Sequence, residues 1–332
     1  MATETSLNTE DEVRAAAREW FAENWSPDLS LGEWWERLAE SGWGFPTWPT
    51  EWYGQGIPSD LGRIVIEERR RVGAPGPPAG IGPNLAAPTI ITHGTPEQKR
   101  KYLPDIATGK VIWCQLFSEP GAGSDLAGLR TKAERDGDEW VVNGQKIWTS
   151  GAHLATYGIL LARTDPDARK HAGITYFIFD MLQPSVDIRP IREMTGNAVF
   201  NEVFFTDAKI PNENVLGDVN TGWNVAMTTL GHERTMLGAG SMSSGGMMMG
   251  LSIKRPELSD RAGDLSEPTA PAAGSSRGTA QRRRCSDVAR PCEDVWQEQQ
   301  SDISPRHRSH RFAARDRPLH NAARQGRGRA RK

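Results

Sequence analysis

The densest run of small and hydroxylated residues in the chain is Phe117-Ser118-Glu119-Pro120-Gly121-Ala122-Gly123-Ser124-Asp125-Leu126-Ala127-Gly128. Residues this small let backbone N–H groups approach a phosphate or a ring carbonyl, and Ser118 and Ser124 add hydroxyl donors. The run is not a dinucleotide fingerprint of the βαβ type, because Leu126 stands where the third glycine belongs. Further on, Gln145-Lys146-Ile147-Trp148-Thr149-Ser150-Gly151-Ala152 sets an indole and two hydroxyls beside a tight turn. Taken singly, the first stretch reads as a glycine-rich turn and Trp148 as strand core. Taken together they supply what a flavin ring requires. It needs an aromatic or apolar wall, with donors near N5 and the C4 carbonyl that stabilise negative charge on reduction.

The elements that must carry these residues follow from hydrophobic spacing. Val13, Ala16, Ala17, Trp20 and Phe21 recur at helical intervals, and Trp34, Trp35 and Leu38 repeat the pattern over Leu31 to Ser41. A Trp-rich loop broken by Gly and Pro follows, then a third helix over Leu61 to Arg71, ended by the Pro- and Gly-rich segment Gly73 to Pro83. Thr95-Pro96-Glu97-Gln98 reads as an N-cap, a proline at N1 and a capping-box glutamine, opening a helix through Tyr102. From Val111 strands take over. Asn143-Gly144 between Glu139–Val142 and Gln145–Trp148 is a hairpin signal of the type I′ kind. Tyr157 to Arg163, Ile174 to Asp180, Val186 to Pro190 and Asn201 to Phe205 are further strands, and without intervening helices they point to a barrel or sandwich. Helical spacing returns at Trp223 to Leu237.

The expected fold is therefore α+β. A helical domain occupies residues 1–110, an antiparallel β-barrel 111–222, the start of a truncated C-terminal helical domain 223–254, and a basic, disordered tail 255–332. With 332 residues there is room for two or three domains and a core able to hide a cofactor. The net charge of −2 points neither to nucleic acid nor to an acidic surface, although the tail is basic and the body acidic. Cys114, Cys285 and Cys292 have no metal-ligand spacing and suggest free thiols in a reducing compartment. The polar, acidic N-terminus lacks a signal-peptide pattern, and Thr235 to Ile253, though uncharged, is too rich in Gly and Ser to insert in a membrane. A cytoplasmic location is the expectation.

The two motifs, with Gly94-Thr95-Pro96-Glu97-Gln98-Lys99-Arg100-Lys101-Tyr102-Leu103-Pro104 ahead of them, resemble the acyl-CoA dehydrogenase family in wording and order. Gly42-Trp43-Gly44, Arg192-Glu193-Met194-Thr195-Gly196, Asn201-Glu202-Val203-Phe204-Phe205 and His232-Glu233-Arg234 extend the resemblance over roughly Glu10 to Gly250. It implies a helical domain, a middle β-barrel and a C-terminal helical bundle, with FAD between barrel and bundle. By matching motifs, Gln115, Leu116, Phe117 and Ser118 line the flavin, Gly121 and Gly123 reach toward its pyrophosphate, and Trp148, Thr149 and Ser150 complete the wall. Ser124 and Arg234 match positions near the acyl-CoA substrate. Glu233 matches the glutamate that, in isovaleryl- and long-chain-specific branches, removes the substrate α-proton. Glu119 and Asp125 are expected to stabilise the turn through hydrogen bonds. Electron-transferring flavoprotein or a similar acceptor is the partner the resemblance implies, together with a homo- or hetero-oligomer.

The resemblance implies over a hundred further residues of amphipathic helix after Gly250, where this chain has an Arg-rich tail. A shifted reading frame in a GC-rich gene would yield that composition. The expected consequence is weak FAD retention and feeble activity unless another subunit supplies the missing helices. A non-catalytic subunit that associates with an intact dehydrogenase is the alternative. Binding of nucleic acid through Arg282-Arg283-Arg284 and Arg324 to Lys332 is disfavoured, because no aromatics are interleaved with the charge.

Overall fold

A computed structural model describes residues 7–238 and 256–265. Five α-helices come first: α1 (Glu10–Asn24), α2 (Leu31–Ser41), α3 (Gly62–Arg71), α4 (Ala87–His93) and α5 (Pro96–Ala107). Capping boxes start three of them, since Thr9 with Glu12, Ser30 with Glu33 and Thr95 with Gln98 satisfy first-turn N–H groups reciprocally. The α5 helix runs past Tyr102 to Ala107 and carries Pro104 inside it. A π-turn at Gly82–Ala86 leads directly into α4, an element the Pro-rich sequence conceals. Pro88 sits at the start of α4 directly after the π-turn, whose Ala87 N–H donates to the Gly82 carbonyl, and adds no N–H of its own to satisfy.

The helical core is aromatic. Trp34 and Phe21 pack with Leu31, Leu38, Ile64 and Val65. The indole N–H groups of Trp34 and Trp35 donate to the carbonyls of Pro75 and Gly76, which ties α2 to the loop after α3. Leu258 and Ala262, inside the segment expected to be unstructured, join this core. There the N–H groups of Leu31 and Gly32 donate to the carbonyls of Asp260 and Leu258 at 2.7 and 2.8 Å, so residues 256–265 satisfy the first turn of α2. The remaining tail positions, Arg282 to Arg284 and Arg324 to Lys332 among them, lie outside the described residues.

α1 and α3 are joined by charge. Arg14, Arg18 and Arg71 reach the buried Glu68 carboxylate at 3.0, 3.0 and 2.8 Å. The hydrogen bond from Arg18, helped by Arg71 and Arg14, outweighs burial and holds Glu68 at about 2, against an ordinary value of 4.5. A depressed carboxylate contributes stability that is present above the unfolded value and lost as pH falls toward the folded one. The full shift corresponds to ~3 kcal/mol. Solvent around the half-exposed arginines reduces it to about 1–2 kcal/mol. Acid denaturation followed by far-UV circular dichroism is expected to show Glu68→Gln less stable by that amount at neutral pH, with the difference vanishing between pH 4.5 and 2. Parallel acid-denaturation profiles would contradict it.

The middle of the chain is a curled seven-stranded sheet: β1 (Trp113–Leu116), β2 (Lys132–Asp136), β3 (Glu139–Ser150), β4 (Tyr157–Arg163), β5 (Ile174–Asp180), β6 (Val186–Pro190) and β7 (Phe200–Pro211). Most pairings are antiparallel, but β1 and the first residue of β2 run parallel to β4, so the sheet is mixed rather than purely antiparallel. The expected hairpin at Asn143-Gly144 does not form. β3 is one continuous strand, and the hairpin turn lies instead between β2 and β3. Asn143 is committed to β7, donating to Asp207 Oδ1 and accepting the Asp207 N–H. Gly144 marks a register shift against β7, with φ +154 and Thr131 so close that an added Cβ would lie 2.6 Å from its hydroxyl. The Asn-Gly pair thus bends a strand where a crossing chain leaves no room for a side chain.

The sheet's interior is filled by Leu116, Trp140, Val142, Phe177, Phe179, Val203 and Phe205. Cys114 is also buried there, and burial raises its thiol pKa, which makes it inert. A last helix, α6 (Gly222–Gly238), packs on β5 and α4. Among the described residues no helix is long and apolar enough to cross a membrane.

Candidate active site

The signature run turns back on itself at once. Glu119 and Ala122 exchange reciprocal backbone hydrogen bonds of 2.9 and 3.0 Å around Pro120-Gly121. The Glu119 carboxylate then accepts the N–H groups of Arg130 and Thr131, at 2.6 and 2.9 Å, and so closes the segment as a loop. Lys146, from β3, has no exposed surface and places its ammonium 2.8 Å from Glu119 Oε1 and 3.0 Å from the Phe117 carbonyl. Burial pulls Lys146 down to about 8. Burial would raise Glu119, yet the Lys146 charge and the hydrogen bonds from Lys146, Thr131 and Arg130 leave it below its ordinary value. Glu119 is thus a structural acceptor, as its place in the turn suggests. Asp125 pairs with Lys170 on the surface and takes no part in the buried set.

The same stretch of β3 carries the aromatic wall. Ile147 N–H donates to the Ser118 carbonyl at 2.9 Å, which brings the two sequence motifs side by side. At the next residue the β3–β7 register slips, and Trp148 adopts φ +60, a conformation that costs an L-residue about 1 kcal/mol. The result is an indole 57% exposed, steadied edge-to-face by Phe200 at 6.0 Å. Trp148 is therefore not core. Ser150 is half-buried beside Phe200 in the ladder, while Thr149 is buried with its carbonyl accepting from the Asn201 side chain.

At the β1 end of the site both faces are covered. Leu116 is in the barrel core and Phe117 packs edge-to-face on Tyr176, so each can meet a ligand only through its backbone. Gln115 and Ser118 are half-buried. Gly121, Gly123 and Ser124 are exposed, and a Cβ on either glycine would meet nothing within 4 Å. Open backbone of this kind admits a bulky group.

Helix α6 closes on the site from the other side. Gln115 Nε2 donates to Glu233 Oε2 at 3.4 Å, so a residue of β1 and the candidate base meet directly. One turn earlier on the helix, the buried Thr229 hydroxyl lies 2.9 Å from Thr89 Oγ1 and 3.0 Å from Tyr176 Oη. His93 Nε2 meets Thr228 Oγ1 at 2.8 Å. These hydroxyls fix the rotation of α6, and therefore the face that Glu233 presents. Arg234, adjacent to it, is exposed. Lys146, Thr89, Tyr176 and Thr229 are the parts that sequence reasoning missed. The place of Lys146 inside the Gln145 to Ala152 motif was the one signal, and it bears on Lys146 alone.

Residues 4–110 match the family model for the acyl-CoA dehydrogenase N-terminal domain, and residues 114–208 match that for the middle domain. The chain belongs to the acyl-CoA dehydrogenase family. It is 50% identical over 204 residues to the acyl-CoA dehydrogenase FadE34 of Mycobacterium tuberculosis, a match covering 61% of this chain and 28% of that protein. It is 44% identical over 241 residues to the acyl-CoA dehydrogenase IpdE1 of the same organism, covering 68% of this chain and 63% of the relative. Among solved structures, a G363A variant of the Tcur3481-Tcur3483 steroid acyl-CoA dehydrogenase aligns with TM-score 0.56 and 37% identity, over 69% of this chain and 63% of that one. The chain thus spans under two thirds of the length of these acyl-CoA dehydrogenases.

Proposed function

We propose that this chain takes part in FAD-dependent α,β-dehydrogenation of an acyl-CoA thioester, with Glu233 as the base that removes the α-proton. The observation that carries the reading is the meeting of Glu233 with Gln115, on the strand that leads into Ser118 and the signature turn. The residues present suit a flavin. Trp148 offers an exposed ring held in a strained backbone, and the Ser118 N–H has no protein acceptor among the described residues. When bound, FAD would supply the hydride acceptor. Gln115 to Ser118 and Trp148 to Ser150 would hold the ring, and Gly121 and Gly123 would leave room for the pyrophosphate.

The protein's own contribution is positioning and proton transfer. A thioester α-proton is only weakly acidic, so the base must stand at fixed geometry in a site that excludes water. Thr229 and Thr228 hold α6, and Gln115 orients the Glu233 carboxylate by donating to one oxygen. Ser124 and Arg234 would meet the CoA portion of the substrate. The likeness to a steroid acyl-CoA dehydrogenase supports a bulky, ring-bearing acyl group. Electrons would leave to electron-transferring flavoprotein or a similar acceptor, and a second dehydrogenase chain would complete the site as a homo- or hetero-oligomer. The test is anaerobic mixing of the FAD-loaded chain with steroid-bearing and straight-chain acyl-CoA thioesters. Bleaching of the flavin band by the former is expected. A band that no thioester bleaches, with FAD bound and a second dehydrogenase chain present, would overturn the reading.

A further inference from the structure

Apart from each other, the buried Lys146 and Glu119 meet main chain at the two ends of the signature segment, with the Thr131 side chain as a further partner of Glu119. Lys146 donates to the Phe117 carbonyl, and Glu119 accepts from Arg130 and Thr131 N–H. An ion pair this deep is a poor way to fill a core, because two apolar side chains of the same volume would do so without the desolvation cost. What the charges add is direction. In a trans peptide the C=O and the following N–H point opposite ways. With the Phe117 carbonyl drawn inward to the Lys146 ammonium, the Ser118 N–H must point outward, while the Ser118 carbonyl is fixed by Ile147 N–H. Ser118 N–H is thereby turned away from Lys146, and among the described residues it meets no protein acceptor.

We propose that Lys146 and Glu119 are positioning residues of the flavin site, which turn the Phe117–Ser118 peptide so that its N–H faces the ring. The proposal rests on the flavin reading above for the identity of the acceptor, but not for the orientation of the peptide. Lys146 sets the carbonyl, Glu119 holds Lys146, and the Arg130 and Thr131 amides hold Glu119. Removal of the ammonium would free the peptide to rotate and leave the site with an acceptor where it needs a donor.

The test compares the full chain with the double variant Lys146→Met with Glu119→Gln, which removes both charges at nearly constant volume. The first readout is the Ser118 amide in the FAD-free protein, followed by 15N-resolved NMR and hydrogen exchange. The parent amide is expected to exchange readily and to become protected when FAD is added. In the double variant its resonance is expected to move and FAD affinity to fall at least tenfold. Thermal stability should recover relative to the single Lys146→Met change. A folded double variant with the parent's Ser118 resonance and FAD affinity would overturn the proposal. So would a Ser118 amide already protected in the FAD-free parent, a result that needs no variant to fold. If the parent binds no FAD at all, the flavin reading fails, and the Ser118 resonance alone still decides the orientation.

Discussion

Glu233→Gln is expected to lower turnover of an acyl-CoA thioester by roughly 10²–10⁴-fold, the range that general bases contribute. FAD affinity should be unchanged. Glutamine keeps the shape and can still accept from Gln115, so α6 and its hydroxyl contacts have no reason to shift. What is lost is a group that can take a proton. The fall should appear in kcat and in kcat/KM alike, since the interaction is needed in the transition state rather than in substrate binding. Steady-state dye reduction with the FAD-loaded chain, and its second dehydrogenase chain where one is required, measures it. Retention of turnover within about twofold, far inside the range removed with a general base, would assign the base elsewhere.

Lys146→Met alone is the second large effect, and it bears on stability. The substitution strips the ammonium from a fully buried site and leaves the Glu119 carboxylate, itself 7% exposed, without its charge partner. Removal of one member of a buried ion pair typically costs about 3–5 kcal/mol, because the remaining charge is neither solvated nor paired. Two backbone N–H groups still meet Glu119, which favours the lower part of that range. Urea denaturation monitored by tryptophan fluorescence should show the loss. A change under about 1 kcal/mol would mean that water replaces the ammonium, and that the pair is less dry than its burial indicates.

Local signals in the sequence fared differently from tertiary ones. Helix boundaries set by capping chemistry were legible: Thr95, Pro96 and Gln98 open α5 as their residue types require. So were the strands Tyr157–Arg163, Ile174–Asp180 and Val186–Pro190, whose β-branched and aromatic runs end in turn residues. Asn143-Gly144 misled because its ordinary meaning as a hairpin turn is local, whereas its use here is set by Asp207 and Thr131 from other strands. The α4 helix was hidden by Pro83 and Pro88, which usually mark breaks and here sit in a π-turn and a first helical turn.

The site divides along the same line. Gln115, Ser118, Trp148 and Glu233 could be named from their motifs, and the structure brings Gln115 to Glu233 and Ser118 to the residue before Trp148. Which side chains of the motifs stay open to the surface could not be read, because Leu116, Phe117 and Thr149 belong to the same motifs but are buried. For Thr149 that depends on the β3–β7 register slip, and for Leu116 and Phe117 on cores covering both sides of the β1 end, neither of which a local pattern encodes. The hydroxyls of Thr89, Tyr176 and Thr229 come from three elements far apart in the chain, and nothing in their spacing links them.

The most direct measurement is a visible-absorption titration of the purified chain with FAD, beside Trp148→Ala. If Gln115–Ser118 and Trp148–Ser150 form one wall of a flavin site, the parent should perturb the flavin spectrum in a saturable way, and the variant should need at least tenfold more FAD, about 1.4 kcal/mol of lost ring contact. Superimposable titrations of parent and variant, or no spectral change in either, would contradict it.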